Sequence, residues 1–254
     1  MKFAVTGVNN SEYARNCISQ LYFHSYAPEY VIVEDSDPRK IAESNVFIDQ
    51  GVLPRYFENS QFEHKGMLSE ICSELSIPYY YVKSQNGKKP MQILSSNPID
   101  VLIITEGPII RGPILYAPRI CVLNVHAAPL PQYRGNWTTL LSLYNDEPPT
   151  VSAHIVTPWV DEGPILKTTR YSISPGDGVE DINLKAQKAA AELIVQVVEL
   201  LITNGIHVSE QPLWAGRTYK GMWNDGTLQP AMPARVLDEL RNRLTKGEYG
   251  FYDN

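Results

Sequence analysis

The chain is predicted to fold as an α/β protein on a mostly parallel sheet, and three observations carry that expectation. Short β-branched or apolar runs alternate with helical patterns over the first two-thirds of the chain, the arrangement that builds right-handed crossovers between parallel strands. The length of 254 residues, 43% of them hydrophobic, suffices for one large buried core and a small appendage. A long helix pattern, with Ile182, Ala186, Ala189, Leu193, Val197 and Leu200 at three- and four-residue intervals, then ends at Asn204-Gly205. The expected architecture is therefore a Rossmann-like layer with flanking helices.

Taken in order, the strands are expected at Lys2–Thr6, Tyr30–Glu34, Tyr79–Val82, Val101–Thr105 and Ile120–Asn124, each a short run of apolar or aromatic residues. Helices are expected near Ser11–Tyr22, His64–Leu75, Pro90–Ser95 and Trp137–Tyr144. Residues 150–157 and 164–171 read as two arms of a β-hairpin whose connection holds Trp159, Val160 and Asp161. The remainder, with Trp214, Tyr219, Trp223 and an amphipathic stretch at 233–244, reads as a small C-terminal appendage, so the expected division is 1–205 and 206–254.

Composition excludes several classes. Cys17, Cys72 and Cys121 are odd in number and far apart, which fits reduced, buried thiols rather than a disulfide framework or a zinc knuckle. His24, His64, His126, His154 and His207 show no metal-ligand spacing, so no metal is expected. The apolar start MKFAVTGV is too short for a signal peptide, and no apolar run approaches the roughly eighteen residues of a membrane span. A cytoplasmic protein with no membrane partner is expected. Twenty-two Lys and Arg against 28 Asp and Glu give a net charge of −6, and no basic run exceeds Lys88-Lys89, so nucleic acid is not an expected partner.

The chemistry is concentrated in CVLNVHAAPLPQYRG (121–135) and VDEGPIL (160–166). Asn124 and His126 sit two apart at the end of an apolar run, so on an extended backbone both side chains project to one side. Asp161 follows on a turn marked by Gly163 and Pro164, which suits a loop folding back over the strand end. The spacing alone fits an amide, an imidazole and a carboxylate acting together. It fits equally an Asn and a His bonded to nearby backbone beside a plain turn.

This stretch resembles the folate-dependent formyltransferase family, through Asn124-Val125-His126, Leu130-Pro131, Tyr133-Arg134-Gly135 and Asp161-Glu162-Gly163. The resemblance extends upstream to DVLIITEGPIIRGPIL (100–115) and covers most of residues 1 to about 205. It implies transfer of a formyl group from N10-formyltetrahydrofolate to an amine through a tetrahedral oxyanion. Asn124 and a protonated His126 would be the donors to that oxygen, and Asp161 would hold His126 charged or take the proton of the amine. The resemblance further implies that Glu106, Gly107, Pro108, Ile109 and Ile110 flank the pteridine, with Ile114 and Leu115 as apolar neighbours. Main-chain groups of such a loop suit a planar, apolar-sided ring. The bland alternative for these residues is a βα turn followed by a short helix.

Departures from the family pattern bear on the acceptor. Ala128 stands where many members have Ser, and Pro129 replaces a common Leu. The first turn, Gly7-Val8-Asn9-Asn10-Ser11, lacks the glycine-rich phosphate cradle expected for glycinamide ribonucleotide. The branch that formylates initiator tRNA carries a further C-terminal domain, whereas about fifty residues follow residue 205 here. The Ala-Pro-Leu-Pro version looks most like enzymes acting on nucleotide-linked amino sugars or on amines of peptide natural products, and the sugar nucleotide is the expected small-molecule partner. Trp214, Tyr219 and Trp223, with Arg217 and Lys220 between them, fit a surface for base and diphosphate, and equally an aromatic mini-core. A hydrolase that passes the formyl group to water is the second reading, a non-catalytic folate or nucleotide binder the third, and the sequence leaves a homodimer open.

Overall fold

Five strands lie parallel in the first part of the chain: β1 (Phe3–Val8), β2 (Tyr30–Glu34), β3 (Tyr79–Val82), β4 (Val101–Ile104) and β5 (Cys121–His126), in the spatial order β3-β2-β1-β4-β5. In this computed structural model, the described residues are 1–36, 66–205, 207–219, 222–224, 227–229 and 234–249. The chain leaves β1 to one side for β2 and β3 and returns to the other side for β4. The switch point between β1 and β4 is where open parallel sheets bind ligands, beyond the carboxyl ends of the strands. The five strands are where the apolar runs place them, except that β1 continues two residues past Thr6 to Val8 and β5 two residues past Asn124, taking in His126.

Helices flank this sheet. For α1 (Glu12–Phe23), Ser11 is the N-cap, with extended backbone and a side-chain oxygen that accepts the Ala14 N–H at 3.0 Å. The expected helix His64–Leu75 is described as α2 (Leu68–Glu74), its first two residues lying outside the described residues. In α3 (Lys88–Ser96), Pro90 occupies the first turn, where its missing N–H leaves no bond unmade. Cys17, Cys72 and Cys121 are free and buried, and burial pushes each thiol up, Cys121 to about 11.

The chain falls into two compact units, residues 1–124 with 194–205, and residues 125–193 with 206–254. In the second, β6 (Tyr133–Gly135) leads into α4 (Thr138–Tyr144), followed by the antiparallel hairpin of β7 (Thr150–Ile155) and β8 (Ile165–Arg170). Helix α5 (Val179–Ile202) begins with Glu180 and Asp181, favourable against its amino-terminal dipole, and buries Ile182, Ala186, Ala189, Leu193 and Val197 while Leu200 stays half-buried. Three short strands follow, β9 (Arg217–Tyr219), β10 (Met222–Asn224) and β11 (Thr227–Gln229), then α6 (Ala234–Lys246), where the amphipathic stretch lies. Strand β9 pairs in parallel with β6, and β10 pairs antiparallel with β11.

The core of this unit packs Ala128, Tyr133, Leu140 and Leu143 against Ile173, Ile182, Leu240 and Leu244. Ala128, the position that departs from the family's Ser, is fully buried in that cluster, so an apolar residue there has a packing reason. Among the described residues, no helix is long and apolar enough to cross a membrane, and no group of His, Cys, Asp and Glu forms a metal cluster.

Candidate active site

The site is built outward from the end of β5. Asn124 pairs in register with Ile104, the last residue of β4, and is half-buried. Two residues on, His126 is buried, with Nε2 2.8 Å from the Tyr133 carbonyl and 3.0 Å from Thr138 Oγ1. The Thr138 hydroxyl donates to the Gly135 carbonyl at 3.3 Å, so towards His126 it accepts, and the hydrogen-bond network assigns a proton to Nε2. The other ring nitrogen, Nδ1, stands 3.4 Å from Asp161 Oδ2. A proton taken up by the neutral ring therefore enters on the edge that faces the carboxylate.

Asp161 lies in the β7–β8 connection with φ +53°, a left-handed conformation that an Asp tolerates better than most residues. Its Oδ2 accepts the Gly135 N–H at 2.8 Å, and its Oδ1 is 3.4 Å from His154 Nε2. Burial alone would raise the carboxyl pKa. The His126 ring, the hydrogen bond and charge of His154 and the Gly135 N–H outweigh it, holding the group well below the usual carboxylate range. Burial pushes His126 below its ordinary value of 6.5, with Asp161 pulling it back up only in part and His154 adding to the depression. Asp161 is thus the ionised member of the pair at neutral pH, and burial works against the protonated imidazole that the resemblance implied for His126.

Two motif glycines have steric reasons. A Cβ on Gly163 would lie 1.7 Å from the Ile155 carbonyl oxygen, so only glycine lets the Asp161 loop close onto the end of β7. Gly135, at φ +93°, would place a Cβ 2.0 Å from the Tyr219 carbonyl, which allows β9 to run beside β6. Ser152 of β7 binds the segment after His126, accepting from Leu130 N–H at 3.1 Å and donating to the Ala128 carbonyl at 2.8 Å.

The loop expected to hold the cofactor is in the first unit. Glu106, Gly107, Pro108 and Ile109 are exposed, while Ile110, Ile114 and Leu115 are buried beneath them. Two side chains of the β3–α3 turn hold the loop. Gln85 Nε2 donates to the Glu106 carbonyl at 2.8 Å; Asn86 donates to the Ile109 carbonyl at 2.9 Å and accepts from the Arg111 N–H at 2.8 Å. An open cavity of about 340 Å³ lined by Lys2, Tyr30, Pro78 and Asn97 is at the amino ends of the strands, the end opposite the one such sheets use for ligands.

The structure brings further partners to Asp161. His154, on the first hairpin arm, from which the sequence lets it approach the site although a strand histidine is more often structural, reaches Asp161 directly. Thr138 and Gln211 also join the network, the latter from beyond residue 205. The tail aromatics separate: Tyr219 stacks on Tyr133 with ring centroids 5.9 Å apart and carries the Arg217 guanidinium over its ring, whereas Trp214 is 88% exposed. Lys220 and the Trp223 side chain lie outside the described residues.

The methionyl-tRNA formyltransferase of Parvibaculum lavamentivorans is 27% identical over 161 residues, covering 63% of this chain and 52% of that protein. The enzyme of the same name from Thermodesulfovibrio yellowstonii is 33% identical over 119 residues, 46% of this chain and 38% of that one. The chain thus spans about half the length, or less, of these relatives. Among solved structures, an N-formyltransferase from Helicobacter canadensis in complex with folinic acid and dTDP-3-aminofucose superposes with a TM-score of 0.60 at 13% identity, covering 100% of this chain and 84% of that one. Glycinamide ribonucleotide transformylase 1 from Symbiobacterium toebii gives 0.60 at 16% identity, covering 84% and 94%. These structures share the fold, a mostly parallel sheet with flanking helices. Residues 1–198 match the formyl transferase family, and that stretch contains Asn124, His126 and Asp161; the chain belongs to the formyl transferase family.

Proposed function

We propose that the protein is an N-formyltransferase that moves the formyl group of N10-formyltetrahydrofolate to the primary amine of a nucleotide-linked amino sugar. The observation that carries this reading is the pairing of buried His126 with half-buried Asp161, Nδ1 3.4 Å from Oδ2, on a strand and loop of the stretch that matches the family. The amine nitrogen attacks the formyl carbon, forming a C–N bond and a tetrahedral oxyanion. The bond from that carbon to N10 then breaks, and N10 of tetrahydrofolate takes the second proton lost by the newly attached nitrogen.

Asp161, ionised throughout the working range, accepts the proton the attacking ammonium must lose, directly or through a water. Asn124 and His126, two apart on one strand and so projecting to one side, stabilise the oxyanion. The proton accepted by Asp161 passes to Nδ1 of His126, 3.4 Å from Oδ2, so Asp161 is ionised again and the charged ring offsets the oxyanion until the proton leaves to solvent. The loop Glu106–Ile110 with Leu115 holds the pteridine through main-chain groups over an aliphatic floor.

For the acceptor, the support is the Ala-Pro-Leu-Pro variant of the motif, the dTDP-3-aminofucose bound in the structure of the Helicobacter canadensis N-formyltransferase, and the charge around α1. Ser11, the N-cap of α1, donates its hydroxyl to the Glu106 carboxylate, so the amino end of that helix already faces one of the chain's own carboxylates. A substrate phosphate there would meet like charge, which disfavours glycinamide ribonucleotide. Trp214 and Trp159, 88% and 70% exposed, offer faces for a base.

The test is spectrophotometric release of tetrahydrofolate from N10-formyltetrahydrofolate, with nucleotide-linked amino sugars, charged tRNA, glycinamide ribonucleotide or no acceptor added. Release only with an amino sugar, with formylated product by mass, supports the reading. Equal release without acceptor makes the protein a hydrolase, and release only with tRNA assigns it the acceptor named for its sequence relatives.

A further inference from the structure

We propose that Gln211, clamped by Arg134, is a positioning residue for the reaction, holding the Asp161 loop in its working conformation; this rests on the formyltransferase reading above. The Gln211 side-chain nitrogen donates to the Asp161 carbonyl at 2.9 Å and to the Gly163 carbonyl at 2.6 Å, so one amide fastens the loop on both sides of Glu162. Its oxygen accepts from Arg134 Nε at 3.1 Å, which fixes the amide's orientation, since only its nitrogen can face two carbonyls and only its oxygen can face a guanidinium. Arg134 Nη2 also donates to the Pro212 carbonyl at 3.3 Å. Gln211 and Arg134 are 7% and 2% exposed, so water does not replace these bonds at low cost.

The arrangement closes on itself. Arg134 is followed by Gly135, whose N–H donates to Asp161 Oδ2. Two consecutive residues of β6 therefore hold the Asp161 side chain directly and its main chain through Gln211. Asp161 adopts φ +53°, a conformation a non-glycine residue keeps only where its surroundings enforce it, and the bond from Gln211 to the Asp161 carbonyl is part of that enforcement. Gln211 lies fifty residues from Asp161, beyond the matched family segment 1–198. The segment after α5 thus contributes to the geometry of the reaction.

The experiment compares Gln211→Ala and Gln211→Glu with the unaltered chain; the carboxylate of the second is close to the amide in size but cannot donate to carbonyls. With formyltetrahydrofolate and the active acceptor, kcat is expected to fall roughly tenfold to a hundredfold, with the KM for the folate within about threefold. In parallel, ¹⁵N-histidine NMR follows the titration of His126. Loosening Asp161 removes an attraction that raises the His126 pKa, so its titration is expected to move to lower pH. A folded variant with unchanged kcat and unchanged His126 titration overturns the proposal. If both Gln211 variants fail to fold, Arg134→Lys, which keeps the charge but loses the Nε donor, decides by the same two readouts. If the unaltered chain transfers no formyl group, the function reading fails, while the NMR arm still tells whether Gln211 positions Asp161.

Discussion

The two parts of the proposed machinery are built from different materials. The loop Glu106–Ile109 is exposed, is followed by the buried Ile110, and is held by amide side chains of a neighbouring turn, so the proposed recognition of the pteridine falls to main chain and aliphatic side chains. The loop around Asp161 surrounds an ion with an imidazole on either side, a backbone N–H and a glycine that touches a carbonyl. Recognition of a flat apolar ring tolerates changes of side chain as long as the backbone keeps its path. A buried charge does not, because every donor removed leaves it uncompensated.

Substitutions on either side break or sharpen this contrast. Asp161→Asn keeps size and removes the charge, and kcat is expected to fall roughly 10³-fold with folate affinity near that of the unaltered protein by fluorescence titration. Gly163→Ala forces a Cβ against the Ile155 carbonyl, displacing the loop without touching a charged group; a loss of roughly 10²-fold in kcat is expected, with a lowered Tm. Gln85→Ala releases the Glu106 carbonyl, and the opposite signature is expected: folate KM up roughly tenfold, about 1–2 kcal/mol, with kcat at saturating folate retained. If Gln85→Ala instead lowers kcat alone, the division of labour is wrong.

The smallest effect is one of pH. Burial depresses His126 in the folded protein, so the unfolded chain binds a proton there first as the pH falls. The contribution of this ring to stability is complete above its ordinary value of 6.5 and is lost as the pH drops from there through the folded value, with a slope of at most ~1.4 kcal/mol per pH unit. Tm measured between pH 7.5 and 5 is expected to decline, and His126→Gln to flatten the decline. Asp161, also depressed, contributes stability that is present above the ordinary carboxylate pKa and disappears only at lower pH, as it falls through the folded value.

How far the sequence carried differs between the same regions. The parallel strands are legible because each is a short buried apolar run, and α5 because its apolar period is long. Strands β6 and β9 are not, since three residues carry no period and the partners are some eighty positions apart. His154 illustrates a further obstacle. The β7–β8 register shifts between Ala153 and His154, and an alternating pattern does not reveal a slip of that kind, so its place on the hairpin arm allows an approach to the site while its contact with Asp161 is not legible from spacing. Gln211 stands in no motif; its role comes from two carbonyls that only the folded loop brings together.

The pairing of β6 with β9 has a consequence for the order in which the molecule is assembled. Residues 125–193 join 206–254 in one unit, and 1–124 join 194–205 in the other, so each unit is interrupted by a stretch of its neighbour. During synthesis, the motif from Asn124 to Gly163 emerges from the ribosome 48 residues ahead of Gln211. Until the later segment threads back beside Tyr133–Gly135, the nascent chain carries Asn124, His126 and Asp161 without the bonds from Gln211 to the Asp161 loop.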